Sequence, residues 1–169
     1  MFEEADWTQF DFWAIVACRG LVTVSDSDRH KCRAWLANKN YSINTLNFSA
    51  GISEVVDNLG ELLKWQEQFG YRLSPESRNL DALRDGFLEG PLSSHGISVL
   101  ELERIEQAWM EDSQWLRGFL SIVQEESLIE LALGKRFFCV LLVQSSTSTL
   151  IGAELESPTI GVPFSSWQQ

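Results

Sequence analysis

The feature that most constrains the fold is an unbroken run of seven apolar residues, Phe137 to Val143, in the last third of the chain. A strand with one solvated face alternates apolar and polar residues, whereas a strand buried on both faces is apolar throughout. Strands of the second kind lie at the centre of parallel sheets that carry helices on both faces. The run therefore predicts an α/β protein with a small parallel sheet packed between helices.

Other segments supply the remaining strands and helices of such a sheet. Short apolar or β-branched runs bounded by turn residues predict strands at Leu21 to Val24, Tyr41 to Phe48 and Ile97 to Leu102. Capping residues and apolar residues at helical spacing predict the helices. One follows Ser25 to Asp28 and includes Trp35 and Leu36, one runs from about Ser53 to before Gly70, one spans Arg104 to Met110, and one is capped by Ser113 and ends near Gly134.

Length and composition favour one domain over residues 1–169. The chain is 44% hydrophobic, which is enough for one well-buried core and little for two. Within that domain we expect an N-terminal strand and helix in residues 1–40, a core in residues 41–144 and a tail in residues 145–169. Three cysteines lack the spacing of metal or redox motifs and are expected to be buried, reduced thiols. They are Cys18, Cys32 and Cys139.

The stretch from Glu76 to Glu89 predicts a helix with one acidic face. Asp81, Asp85 and Glu89 lie four residues apart, so that their carboxylates would stack on one side of a helix. Like charges at this spacing cost about 0.2 to 0.5 kcal/mol per pair, which favours the hypothesis of a cationic partner. The apolar residues that would point inward from the same helix are Leu80, Leu83 and Phe87.

A simpler interpretation of this helix is a solvated face with no partner. Arg78 and Arg84 each lie three residues from Asp81 and would partly neutralise it. The charge distribution argues for the functional hypothesis, because twelve acids and only four bases fall between Glu76 and Glu130. A localised field of this kind steers association with an oppositely charged partner.

The overall charge excludes several classes of ligand. The formal net charge is −11, whereas phosphate recognition needs clustered Lys and Arg, so neither nucleic acid nor an anionic membrane is an expected partner. The chain starts with acidic residues where a secretory signal would be basic, and it contains no long apolar run. We therefore expect a cytoplasmic protein.

Catalysis has no positive support in the sequence. His30 and His95, with Lys31, would be the natural acid/base pair for phosphodiester cleavage, but an acidic protein repels that substrate. No phosphate-binding, dinucleotide-binding, zinc-protease or serine-hydrolase motif is present. We expect no enzymatic activity, no catalytic residues, no metal site and no cofactor.

Three segments together carry a resemblance to a known family. The string N-L-D-A-L-R-D at Asn79 to Asp85 is similar to the inhibitory helix of the barstar family of intracellular ribonuclease inhibitors. Val99 to Leu102, continuing to Ile105-Glu106-Gln107, resembles its second strand and the short helix that follows. Phe119 to Glu125, leading to Phe137 to Val143, resembles its last helix and last strand. The resemblance covers roughly Tyr41 to Gln144 and implies a barstar-like core with three parallel strands.

The resemblance also implies roles for individual residues. In barstar-like inhibitors the second aspartate of the helix enters the cationic active site of the enzyme in place of a substrate phosphate, and the first contacts neighbouring groups. The matching residues are Asp85 and Asp81, and Glu125, with Glu126 adjacent, matches an acidic edge contact of the last helix. The full set of expected partner-binding residues is Asp81, Asp85, Glu125, Glu76, Arg84, Glu89, Asn79 and Glu126.

The chain also departs from the family pattern. The family has an aromatic and glycine-containing segment directly before the inhibitory helix, where this chain has Ser74 to Arg78, with Tyr71 further back. Residues 1–40 and the tail have no counterpart in the minimal inhibitor. The sequence thus predicts a one-to-one inhibitor, or immunity protein, of a basic ribonuclease or RNase-type bacterial toxin. The alternative is an acidic interaction module that binds a basic protein without inhibiting it.

Overall fold

The fold is known from a computed structural model that describes residues 9–74, 76, 78–89 and 96–143, without the side chains of Phe10, Trp13, Leu88 and Glu89. Four parallel strands form one sheet in the order β1-β4-β3-β2. The apolar run is β4 and lies between two neighbours, which confirms the prediction of a small parallel sheet packed between helices. The strands are β1 (Leu21–Ser25), β2 (Ser42–Asn47), β3 (Ile97–Glu103) and β4 (Arg136–Val143).

The helices cover both faces of this sheet. One face packs against α1 and α2, and its buried cluster includes Ile15, Leu36 and Phe138. The other face packs against the remaining helices around a larger cluster that includes Phe48 and Phe119. The helices are α1 (Phe10–Ala17), α2 (Arg29–Asn38), α3 (Ile52–Leu62), α4 (Trp65–Phe69), α5 (Leu80–Glu89) and α6 (Ile105–Ala132).

The helical boundaries differ from the prediction in three places. A helix, α1, precedes β1, although the sequence indicated only a strand and a helix in this region. The single helix expected between residues 53 and 70 is broken at Lys64, which is left-handed with φ of 51°. The two helices expected between residues 104 and 134 are present within α6, whose backbone is non-helical at Asp112 (φ of −157°, ψ of 88°). At the kink Asp112, not Ser113, is the cap, because its carboxylate accepts a hydrogen bond from the Trp115 amide at 2.9 Å.

A buried ion-pair network joins α2 to the sheet. Glu101 lies in the middle of β3 with no exposed surface, and Arg29 Nη2 donates to its carboxylate at 2.9 Å. Arg33 donates to the same carboxylate through Nε at 3.1 Å. A buried carboxylate needs such partners, because an unpaired charge in the interior is strongly destabilising. Glu101 therefore fixes the position of α2, which the strand pattern alone did not predict.

The cysteines behave as expected. All three are buried and none forms a disulfide. Burial raises the pKa of each thiol, and it raises that of Cys32 to about 12, with the charge of Glu101 adding to the effect and Arg33 opposing it. Within the described ranges, no helix combines the length and apolar character that a membrane crossing requires.

Candidate partner-binding surface

The amino end of α5 is fixed by Asn79. Its side-chain oxygen accepts hydrogen bonds from the Asp81 amide at 3.0 Å and the Ala82 amide at 3.2 Å. These are two of the amides that have no partner inside a helix, and Asn is a preferred residue at this position. The sequence placed Asn79 among the partner-binding residues, whereas the structure uses its side-chain oxygen to start the helix.

The inner face of α5 is anchored in the larger core. Leu83 and Phe87 are buried, with 0% and 2% of their surface exposed. Phe87 lies 6.2 Å from Phe119 of α6, measured between ring centres. Fully burying side chains of this size contributes about 1.5 to 3 kcal/mol each. The buried side chains therefore fix α5 to the core, and the opposite face of the helix remains exposed.

Two glycines let α5 approach its neighbours closely. A Cβ atom added at Gly86 would lie 2.4 Å from Cζ3 of Trp65, so the indole ring packs directly on the helix backbone. A Cβ atom added at Gly118 of α6 would lie 2.3 Å from Cδ1 of Leu80. Glycine inside a helix lowers its stability, and close packing is a common reason for its presence. The position of α5 is set by these contacts.

The segment before α5 contacts α6 through Arg78, close to the kink at Asp112. Arg78 is left-handed, with φ of 42°, and its carbonyl accepts a hydrogen bond from Nε1 of Trp115 at 3.1 Å. Its guanidinium forms an ion pair with Glu111. The sequence suggested that Arg78 would neutralise Asp81, but the structure directs it towards α6.

The outer faces of α5 and α6 together form one charged surface, which we call the acidic helix surface and define as Asp81, Arg84, Asp85 and Glu125. Arg84 Nε donates to Glu125 at 3.0 Å, and Nη2 donates to its second oxygen at 3.3 Å. Arg84 Nη1 lies 3.9 Å from Asp81, whose side chain is 94% exposed. Asp81, Arg84 and Glu125, which the sequence predicts as partner-binding residues, therefore lie together in the structure.

Asp85 differs from the other acids of this surface. It is exposed and, among the described residues, no cation lies within ion-pairing distance of it. Asp81 and Glu125 share Arg84, so part of their charge is already compensated. Asp85 is therefore the acid of the acidic helix surface that is most available to an external cation.

Two other residues of the predicted partner-binding set are Glu76 and Glu89. Glu76 is exposed and accepts a hydrogen bond from Ser74 Oγ at 2.7 Å, ahead of α5. Glu89 ends α5, but its side chain lies outside the described part of the structure. Neither residue is shown in contact with the acidic helix surface.

Glu126 has to be removed from the partner-binding set. It is only 5% exposed, because adjacent residues of a helix point about 100° apart and Glu125 takes the outward direction. The pKa of Glu126 is raised to about 7, chiefly by burial and further by the nearby charge of Glu130, with Lys135 opposing both effects. Glu130 is also buried, and its carboxylate lies 3.2 Å from Nζ of Lys135.

The segment from residue 76 to residue 130 therefore carries less negative charge on the protein surface than its sequence suggests. Glu101 is buried against Arg29 and Arg33, and Glu126 and Glu130 are inside the protein. The excess of acids between residues 76 and 130 therefore overstates the charge near α5. Steering of a partner depends on a few exposed carboxylates and not on the whole segment.

Sequence reasoning missed the residues that position this surface. Trp65, Trp115 and Gly86 each support α5 or the segment before it without contributing charge. Gly86 is the one sequence feature that indicates this close packing, since a glycine in the middle of a predicted helix suggests a closely packed neighbour. The identity of that neighbour, which lies 21 positions earlier in the chain, could not be derived from spacing.

Nothing in the described part of the chain resembles a metal centre, since no three His, Cys, Asp or Glu residues are grouped to hold an ion. His30 is exposed on α2, and His95 lies outside the described residues. No protein-family model, curated protein or solved structure matches the chain. The acidic helix surface and the motifs in the sequence are therefore the features that bear on function.

Proposed function

We propose that the protein is a stoichiometric inhibitor of a basic ribonuclease or RNase-type toxin and that α5 blocks the active site of that enzyme. The observation that carries the proposal is Asp85, an exposed carboxylate that pairs with none of the described cations and lies on a helix whose inner face is buried in the core. In this proposal the protein acts one-to-one, without catalysis of its own, in the cytoplasm of the cell that it protects. The N-L-D-A-L-R-D string, which resembles the inhibitory helix of the barstar family, supports the choice of target.

The chemistry of the surface suits a ribonuclease active site. Such a site binds a substrate phosphate with Arg, Lys and protonated His, and a carboxylate can occupy the same position. Hydrogen bonds between ionised partners are roughly twice as strong as those between neutral ones. In the proposed complex Asp85 takes the phosphate position and Asp81 contacts a neighbouring cation.

Preorganisation of the helix lowers the cost of binding. Ordering a flexible segment at an interface costs free energy, and this cost weakens the complex that forms. The cap at Asn79 and the buried Leu83 and Phe87 have already ordered α5. Arg84 holds Glu125 in place in the same way, so we assign Glu125 to the edge of the interface, where charges mainly change association rates.

The experiment uses the purified full chain and the basic nuclease encoded beside its gene. We expect isothermal titration to give one-to-one binding and RNA cleavage to fall in proportion to the inhibitor added. Association should slow steeply with added salt, because screening shortens to about 8 Å at physiological ionic strength. Binding that leaves RNA cleavage unchanged would instead support an acidic interaction module. An absence of binding would contradict both hypotheses.

A further inference from the structure

A small polar pocket lies at the carboxyl ends of three neighbouring strands. Its volume is about 120 Å³, and it is lined by residues that end or follow β1, β3 and β4. The register aligns these strand ends across the sheet. We call this site the strand-end pocket, and its charged lining residues are Asp26, Arg29, Glu103, Arg104 and Glu106.

The position of the strand-end pocket in the sheet favours a binding role. The chain leaves β1 for α2 on one face of the sheet and leaves β3 for α6 on the other face. Because β4 lies between these two strands, the two connections diverge on either side of its end. In open α/β sheets, ligands bind in the crevice outside the carboxyl ends of the strands where connections diverge in this way. The strand-end pocket occupies this crevice.

Part of the charge in the pocket is already compensated inside the protein. Arg29 and Glu103 form an ion pair, and Arg29 Nη2 also donates to Glu101 at 2.9 Å. Glu103 accepts a further hydrogen bond from Nδ2 of Asn47 at 2.8 Å. Arg29 and Glu103 therefore hold each other in place and form a fixed side of the pocket.

Two charged groups of opposite sign are available to a ligand. Asp26 follows β1, Arg104 is the single residue between β3 and α6, and both are exposed. The Asp26 carboxylate and the Arg104 guanidinium do not pair with each other or with any other described residue. One exposed charge is ordinary, but two opposite charges that line the same small pocket are complementary to a ligand that carries both charges.

We propose that the strand-end pocket binds a small α-amino acid in its zwitterionic form. Arg104 pairs with the ligand carboxylate through the fork of its guanidinium, and Asp26 pairs with the ligand ammonium. The proposal is independent of the acidic helix surface and of any nuclease.

The lining of the pocket disfavours other ligand classes. An anion without an ammonium group also meets the carboxylates of Glu103 and Glu106, and a cation without a carboxylate leaves Arg104 unpaired. Sites for drug-sized molecules measure about 300 to 1,000 Å³, so this smaller volume selects a ligand with a short side chain. The apolar residues of the lining are Leu142 and Val143. Alanine, with its methyl side chain, fits this description.

The test is a titration of the ¹⁵N-labelled full chain with L-alanine at constant ionic strength, followed through the backbone amide resonances around Asp26 and Arg104. Propionate and ethylamine are matched ligands, since each is alanine with one charged group replaced by hydrogen. We expect saturable shifts with alanine. Each analogue should bind at least about tenfold more weakly, because it lacks one charge-assisted contact.

Two variants assign the charges. Arg104→Gln should reduce the affinity for alanine to that for ethylamine, and Asp26→Asn should reduce it to that for propionate. Arg19→Gln is the matched control for the arginine, because Arg19 is also exposed and left-handed but precedes β1 at the opposite end of the sheet. Glu54→Gln, which changes an exposed acid of α3, is the control for the aspartate. Both controls should bind alanine as the unmodified chain does.

Three results would overturn the proposal. One is the absence of a saturable shift with alanine, or shifts confined to amides away from Asp26 and Arg104. Another is an affinity for propionate or ethylamine that equals or exceeds the affinity for alanine. The third is unchanged alanine binding in folded Arg104→Gln and Asp26→Asn. Should a variant fail to fold, the comparison of the three ligands in the unmodified chain still tests the proposal.

Discussion

Replacing Gly86 by alanine tests whether close packing on Trp65 positions α5. Alanine in a helix interior is about 0.8 to 1.0 kcal/mol more favourable than glycine, so helix propensity alone predicts stabilisation. The new Cβ would lie 2.4 Å from Cζ3 and 3.0 Å from Cε3 of a rigid, buried indole. Overpacking of this kind costs about 1 to 3 kcal/mol. We therefore expect Gly86→Ala to have no net gain and to lower the free energy of unfolding by about 0 to 2 kcal/mol.

Gly118→Ala is the matched comparison, because the same change meets a different neighbour. The Cβ added there would lie 2.3 Å from Cδ1 of Leu80, and the next atoms of that side chain are 3.6 Å or further away. Leu80 is only partly buried and can change rotamer at low cost. We expect Gly118→Ala to be neutral or to stabilise by up to about 1 kcal/mol, since the helix propensity term then dominates.

Urea unfolding followed by circular dichroism measures both variants, and a thermal melt of Gly86→Ala should show no increase and a decrease of up to about 8 °C. A double-mutant cycle with Trp65→Phe isolates the contact, since phenylalanine lacks the outer ring of the indole and should reduce the cost of Gly86→Ala. A gain of about 0.8 to 1.0 kcal/mol for Gly86→Ala, as helix propensity alone predicts, would refute the role of close packing, and so would an equal loss of stability in the two variants.

Two further predictions concern buried ionisable groups. The pKa of Glu126 is raised from its usual 4.5 to about 7 in the folded state, so its contribution to stability is complete below about pH 4.5 and is lost as the pH rises through 7. Glu126→Gln should therefore remove about 3 kcal/mol of pH dependence between pH 4.5 and 8, and parallel urea-unfolding profiles for the two proteins would contradict this. Burial and raised pKa values keep the thiols protonated, so the native protein should not react with Ellman's reagent while the urea-unfolded protein reacts three times; fast reaction in the native state would be inconsistent with burial. The cysteines concerned are Cys18, Cys32 and Cys139.

The sheet was predictable because its signal is local. The apolar run of β4 requires burial on both faces, and that requirement by itself placed the strand in the interior of a parallel sheet. Helix breaks were predictable only in part. The break at Asp112 lies one residue from the predicted cap at Ser113, which is the usual uncertainty of a helix boundary, whereas the left-handed Lys64 interrupts a pattern that otherwise reads as one helix.

The candidate surface was predictable in part for the same reason. The spacing of Asp81 and Asp85 identifies one helix face, and that face is exposed. The pairing of Arg84 with Glu125 joins residues 41 positions apart, and no sequence period reports such a contact. Glu126 follows Glu125 in the sequence but is buried, because adjacent residues of a helix point about 100° apart.

The central claim is that Asp85 enters the active site of a nuclease, and it is tested most directly by the affinity of Asp85→Ala for that enzyme. Interface hot spots cost about 2 kcal/mol or more, so we expect roughly a 30-fold loss of affinity or a larger one. Asp81→Ala should lose less, because Asp81 is already close to Arg84. Glu54→Ala, which removes an exposed acid from α3, is the control for net charge and should change affinity less than twofold.

Thermal melts of the three variants ensure that a binding loss does not reflect unfolding. We predict a large loss of affinity for Asp85→Ala, an intermediate loss for Asp81→Ala and almost none for Glu54→Ala, with melting temperatures close to that of the wild type. Equal and small losses for all three variants would show that only net charge matters. That result would contradict the proposal that Asp85 replaces a substrate phosphate.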